Sequence, residues 1–193
     1  MKELAIIGAG GFGKEVMSYV SNNATFYVSD HMANSLKHRP LSQLDCDRSD
    51  AVIAIGNPLA RQTIANSLRH GQEFASVIHP TAIIGKSVLL GHGAIITPFA
   101  VITVDCEIGT HFQANLHSDI GHDCVIGNFV TLAPSARVSG RCTIGNRVYI
   151  GTNAVIKEGI SICDDVIIGA GAVVLSDITE KGTYVGIPAK RIK

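Results

Sequence analysis

Two hydrophobic rhythms divide the chain. From Ile78 a large aliphatic residue recurs every six positions, through Ile84, Leu90, Ile96, Ile102 and Ile108. Ala114 is the one small member. The series then runs through Ile120, Ile126, Leu132, Val138, Ile144, Ile150, Ile156, Ile162, Ile168 and Val174, seventeen hexads in unbroken phase. Eight of them carry Gly at the next position, at 85, 91, 109, 121, 127, 145, 151 and 169. The fifth position is mostly small or apolar, as at Ala82, Val88, Ala94, Ala100, Val130, Ala136 and Ala154. A helix repeats near 3.6 and a strand at 2, so neither explains six. A chain that turns a corner every six residues does. Three short strands then make one coil of about 18 residues, and successive coils stack as parallel strands about 4.8 Å apart. Aliphatics at positions one and five fill a narrow prism, with no room for rings inside. Gly at position two suits a corner that needs positive φ.

Residues 1–77 follow another rhythm. Leu4–Gly8 reads as a buried strand. It leads into Gly8-Ala9-Gly10-Gly11-Phe12-Gly13 and a helical stretch to about Asn22. A second apolar run, Ala24–Ser29, ends in Asp30, and a third, Ala51–Ile55, ends in Gly56-Asn57-Pro58 before a helix to about Arg69. This β-α-β order predicts a small parallel sheet. The division is therefore 1–77 as an α/β, half-Rossmann-like unit, 78–179 as an all-β parallel β-helix, and 180–193 as a tail.

The glycine loop has the strand-before, helix-after context of a dinucleotide fingerprint, with acidic Asp30 following the second strand. A full two-half nucleotide fold needs about 150 residues, and half that is present. A mononucleotide diphosphate on the helix N-terminus fits the length better than NAD. A tight turn without a ligand is the bland alternative.

Composition narrows the class. Sixteen basic and 16 acidic residues leave a net charge of zero, which argues against non-specific nucleic-acid binding. No apolar run reaches the length of a membrane span, and the first residues read as a strand rather than a signal peptide. Five cysteines without a CxxC pattern fit reduced thiols in the cytoplasm. Three of them, Cys106, Cys124 and Cys142, stand 18 apart at position five, as one inward column of structural thiols.

The hexads resemble those of the left-handed β-helix acyltransferases. From Gly8-Ala9-Gly10-Gly11-Phe12-Gly13 to Tyr184-Val185-Gly186-Ile187-Pro188-Ala189-Lys190, the whole chain resembles bacterial sugar acetyltransferases of the sialic acid O-acetyltransferase family. It is most similar to the nucleotide-amino-sugar N-acetyltransferases of the bacillosamine and perosamine kind. The left-handed sense of the coil is implied by that resemblance alone, since generic parallel crossovers are right-handed. His122-Asp123-Cys124-Val125-Ile126-Gly127 matches the family's catalytic signature. It implies His122 as general base, Asp123 as the group that orients its ring, and Gly140, one coil on, as oxyanion donor. The resemblance places acetyl-CoA on Thr131, Gly140, Thr152 and Ala170, with Lys190, Arg191 and Lys193 as candidate partners of its phosphates. It places the nucleotide sugar on Gly10, Gly11, Phe12, Asp30 and Gly56. Close relatives often carry His where Thr131 and Phe12 stand. It also implies a homotrimer with sites between subunits. No covalent intermediate is expected, because no nucleophile is paired with the base, and no metal is expected.

The activity expected is acetyl transfer to the amine of a nucleotide-linked 4-amino-deoxysugar. The alternative is O-acetylation of sialic acid or another sugar hydroxyl. A nucleotide-sensing scaffold and zinc-dependent hydration are further alternatives. For zinc, His117 and His122 have ligand-like spacing, but Phe99 and Thr81 stand where a third ligand is needed.

Overall fold

The computed structural model describes residues 2–20, 23–33, 37–68 and 70–192. The N-terminal unit is a four-stranded parallel sheet in the order β3-β2-β1-β4. Its strands are β1 (Glu3–Ile7), β2 (Ala24–Val28), β3 (Arg39–Pro40) and β4 (Ser49–Ile53). Helix α1 (Gly11–Tyr19) joins β1 to β2, and α2 (Pro58–Ser67) follows β4. Helix α1 closes at Tyr19; Asn22 and Arg69, the ends read from sequence, lie outside the described residues. The two-residue β3 and the 3-10 turns on either side of it carry no hydrophobic period, so pattern reading missed them. Strand order reverses between β1 and β4. Their carboxyl ends therefore frame the crevice where open α/β sheets take ligands.

The rest of the chain is a three-sided, left-handed parallel β-helix. Its strands are mostly two residues long and pair with those 18 positions away, as Glu107 does with Leu89 and Val125. The first face, starting at Val77–Ile78, collects eight strands; the second, from Ile83–Ile84, six; the third, from Leu89–Leu90, five. Backbone hydrogen bonds run along the axis, for example Gln113 N–H to Val130 O at 3.0 Å. From Ile96 onward the position-one side chains are buried, while Ile78 in the first coil is 45% exposed. The thiols of Cys106, Cys124 and Cys142 point inward and donate to the carbonyls of Gly121, Ser139 and Lys157. Burial raises the Cys106 thiol above its usual pKa, whereas the hydrogen bond with Cys124 pushes Cys142 down to about 7. All three thiols are buried inside the coil and fill it as small side chains.

Two expectations about the coil need correction. The positive-φ corner is position four, not position two. Twelve non-glycine residues occupy it, among them Phe99, His111, His117, Asp123 and Arg147. Glycine stands at position two because the next coil passes too close for a side chain. A β-carbon on Gly127 would lie 2.7–2.8 Å from the backbone of Gly145 and Asn146, and one on Gly121 2.5 Å from Gly140 N. The prism also admits a ring: Phe112, at position five, is fully buried in the core. Ala114, the one small position-one residue, stands two positions away and offsets its volume.

The N-terminal sheet rests on the first face. Val77 and Ile95 of the solenoid pack with Ile6, Val16, Val52 and Ala54. No helix among the described residues is long and apolar enough to cross a membrane.

Candidate active site

Three features could carry chemistry. The first is the corner between the second and third faces. Positions three and four are exposed there by the coil geometry, so His122 and Asp123 both face outward, 52% and 57% exposed. His122 Nδ1 lies 2.6 Å from Asp123 Oδ2. An ionised carboxylate only accepts, so this contact keeps the proton on Nδ1 and leaves Nε2 with a free lone pair. The ring lies over Gly140, where a β-carbon would sit 2.8 Å from Nε2. The missing side chain is thus what lets the imidazole lie flat over the backbone of the next coil. An imidazole, the carboxylate bonded to it and a corner glycine one coil on are brought together in one subunit.

The second feature is the carboxyl edge of the N-terminal sheet. Gly8 has φ +110°, and a side chain on Gly13 would overlap the Gly8 carbonyl, so the loop needs both glycines to enter α1. Gly10 is the N-cap of α1 and Gly11 its first residue; β-carbons there would meet nothing within 4 Å. The first-turn amides of α1 have no intrahelical partner and no capping side chain, and with nothing crowding the glycines this end suits an anion. Phe12 does not join this opening. It is half-buried and packs against the cluster between sheet and solenoid. The Asp30 carboxylate accepts from Ser42 N–H at 3.0 Å, and that bond lowers its pKa. Gly56 follows β4 on the other side of the crevice.

The third is a cleft of about 600 Å³ between Gly56–Leu59 and the side chains of Tyr149 and Ile167 on the first face, with Arg147 and Asp165 on the corner before it. Arg147 is neutralised there by Asp165 at 2.6 and 2.8 Å. Sequence pattern alone did not single out these four side chains, because each occupies an ordinary outward position.

The expected coenzyme residues scatter. Thr131 is a correction. It is 1% exposed, and its hydroxyl donates to Gly56 O at 2.9 Å and accepts from Arg61 at 3.0 Å. It is a domain-docking residue, sealed from any coenzyme. Thr152 and Ala170 stack one coil apart on the corner between the first and second faces, a different edge from that of His122. Lys190 is exposed on the terminal strand, Arg191 pairs with Glu180 at 3.1 Å, and Lys193 lies outside the described residues. His117 stacks on Phe99 (5.1 Å, 12°), and no cluster of three metal-ligating residues occurs among the described residues.

Similarity to known proteins follows the same division. A PglD N-terminal domain model matches residues 3–68 and a bacterial transferase hexapeptide model residues 141–176. A GDP-perosamine N-acetyltransferase of Escherichia coli O157:H7 is 34% identical over 139 residues, 63% of each chain. The alignment thus leaves over a third of that curated relative unmatched. PerB from Caulobacter crescentus, solved in complex with CoA and GDP-perosamine, is 27% identical with a TM-score of 0.90 over 100% of this chain and 98% of its own. WeeI from Acinetobacter baumannii AYE is 31% identical with a TM-score of 0.90 over the full length of both.

Proposed function

Because the chain belongs to the hexapeptide-repeat sugar acetyltransferases with a PglD-type N-terminal domain, we propose that it moves an acetyl group from acetyl-CoA to the amine of a nucleotide-linked 4-amino-deoxysugar. The His122–Asp123 pair lying over Gly140 carries this reading. His122 Nε2 takes the proton from the amine as its nitrogen attacks the thioester carbonyl. Asp123 holds the ring and balances its charge. The Gly140 amide donates to the carbonyl oxygen as negative charge builds there. The imidazolium then returns the proton to the departing thiolate. Among the described residues no serine or cysteine is paired with the base, and Cys124 points inward, so direct attack is the economical route. The nucleotide diphosphate would sit on the amides of α1 at Gly10 and Gly11, with Asp30 and Gly56 flanking it. The names of the relatives favour an amine over a hydroxyl acceptor.

The fold supports shared sites in a homotrimer. The N-terminal sheet rests on the first face, and His122 is on the corner opposite that face. A sugar held at Gly10 and Gly56 would have to round the prism to reach its own His122. A neighbour's His122 avoids that, and the separate edge holding Thr152 and Ala170 is explained likewise. Reduced cysteines and a coenzyme-A donor are in keeping with work in the cytoplasm.

The test is His122→Ala, with sedimentation reporting a three-subunit assembly in both proteins. Release of CoA thiol with a nucleotide amino-sugar should fall about 10²- to 10⁴-fold, the usual worth of a general base. Undiminished turnover in a folded trimer would sink the assignment.

A further inference from the structure

Among the described residues Arg61 is the one fully buried guanidinium, 0% exposed, in α2. Its hydrogen bonds join the two parts of the chain. Nη1 donates to Ile55 O at 2.7 Å, Gly56 O at 3.3 Å and Gln113 Oε1 at 3.0 Å. Nη2 donates to Phe129 O at 2.8 Å, Val130 O at 3.2 Å and Thr131 Oγ1 at 3.0 Å. Nε donates to His111 O at 2.9 Å. Two links close the ring: Thr131 Oγ1 donates to Gly56 O at 2.9 Å, and Gln113 Nε2 donates to Ile53 O at 2.9 Å. No carboxylate pairs with Arg61 among the described residues. Burying a cation among carbonyls is expensive, and apolar side chains often hold two surfaces together at lower cost. What the planar fork adds is direction. It fixes the carbonyls of Ile55 and Gly56 against two adjacent coils of the first face.

We propose that Arg61 is a positioning residue: it sets where the loop after β4 stands on the solenoid, and so where the nucleotide is held. The proposal rests on the nucleotide-binding reading given above. Arg61 touches no reacting atom. It acts through the Gly56 loop, which faces the glycine loop across the switch point of the sheet.

The test uses the full chain with Arg61→Met, Arg61→Lys and Thr131→Val. Isothermal titration with UDP, GDP and dTDP reads nucleotide binding without requiring acetyl transfer. Steady-state kinetics then separates the KM of the nucleotide sugar from that of acetyl-CoA. Both Arg61 variants should weaken nucleotide binding and raise the sugar KM about tenfold, the scale of a small misplacement, with the acetyl-CoA KM unchanged. Lysine should not rescue, since an ammonium cannot reproduce the fork. Thr131→Val removes the two hydrogen bonds of that hydroxyl, to Gly56 O and from Arg61, with little volume change, and keeps the test alive if both Arg61 variants fail to fold. It should give a smaller rise of the same kind. Native nucleotide affinity in the folded variants overturns the proposal, as does a wild type that binds none of the three nucleotides. If the wild type binds nucleotide but transfers no acetyl group, the acetyltransferase reading falls alone, and weaker nucleotide binding in the variants still supports Arg61.

Discussion

The solenoid keeps its interior apolar and sends its polar groups to the corners, whereas the seam under the N-terminal sheet buries a cation, a glutamine, a threonine and a histidine. Each coil of the solenoid repeats the same solution: aliphatics at position one, small or apolar side chains at most fifth positions, a turn at positions three and four, and hydrogen bonds to the coils above and below. The seam has no repeat to lean on. It meets a sheet whose strand ends and loop carbonyls fall at irregular places, so side chains of specific shape satisfy them one by one. Regular backbone needs only the right kind of residue at each position, and an irregular junction needs particular ones.

Glycine tests this contrast most severely. Gly127→Ala places a β-carbon against the backbone of the next coil, where no flexible side chain can yield. It should cost about 4 kcal/mol or more, seen as a melting temperature lower by roughly 10 °C. A melt within 2 °C of wild type would show that the coils can spread.

Acid should weaken the seam before the solenoid. His111 is 3% exposed, stacks on Phe129 (4.9 Å, 7°), meets Phe74 and His92 edge-on, and has no partner for Nδ1. Burial, then His92 and Arg61, push its pKa from 6.5 down to about 4. The folded state therefore favours neutral His111. That contribution is complete above pH 6.5 and is lost as pH falls toward 4, because the unfolded chain takes up the proton first. At about 1.4 kcal/mol per unit, urea melts should lose about 2 kcal/mol between pH 6.5 and 5. His111→Phe should flatten that slope, and an unchanged slope would exclude His111 as its source.

The smallest structural effect belongs to Gly10→Ala. Its β-carbon meets open space and its φ is −71°, so stability should move by less than about 1 kcal/mol. Nucleotide affinity should still fall, since the methyl group enters the space over the α1 amides. A titration with GDP or UDP at unchanged affinity would place the phosphate elsewhere. Side by side with Gly127→Ala, it separates a glycine kept for its neighbour coil from one kept for a ligand.

Much of this was legible in the residue order. The hexad phase located the buried positions from Ile96 to Val174, the cysteine column and the exposed corner of His122. The glycine loop located the carboxyl edge of the sheet. The role of position-two glycine was misread, because a period reports that side chains are excluded and not what excludes them. Thr131 was misread for a related reason. Its hexad position says that it faces outward, but not that a second domain covers it. Arg61 carried no signal at all: in sequence it is one basic residue on an amphipathic helix.

The sequence by itself determined the coil, its core and the placement of His122, Asp123 and Gly140 in one corner. Those follow from local spacing, where a strict six-residue period leaves each side chain one direction to point. Only the tertiary structure decided which face the N-terminal sheet covers, that Thr131 is sealed beneath it, and that Arg61 holds the Gly56 loop in place. Those contacts join residues about 50 to 70 positions apart across surfaces that do not repeat. No period encodes such a meeting; the shape and hydrogen-bonding of the two folded surfaces select it.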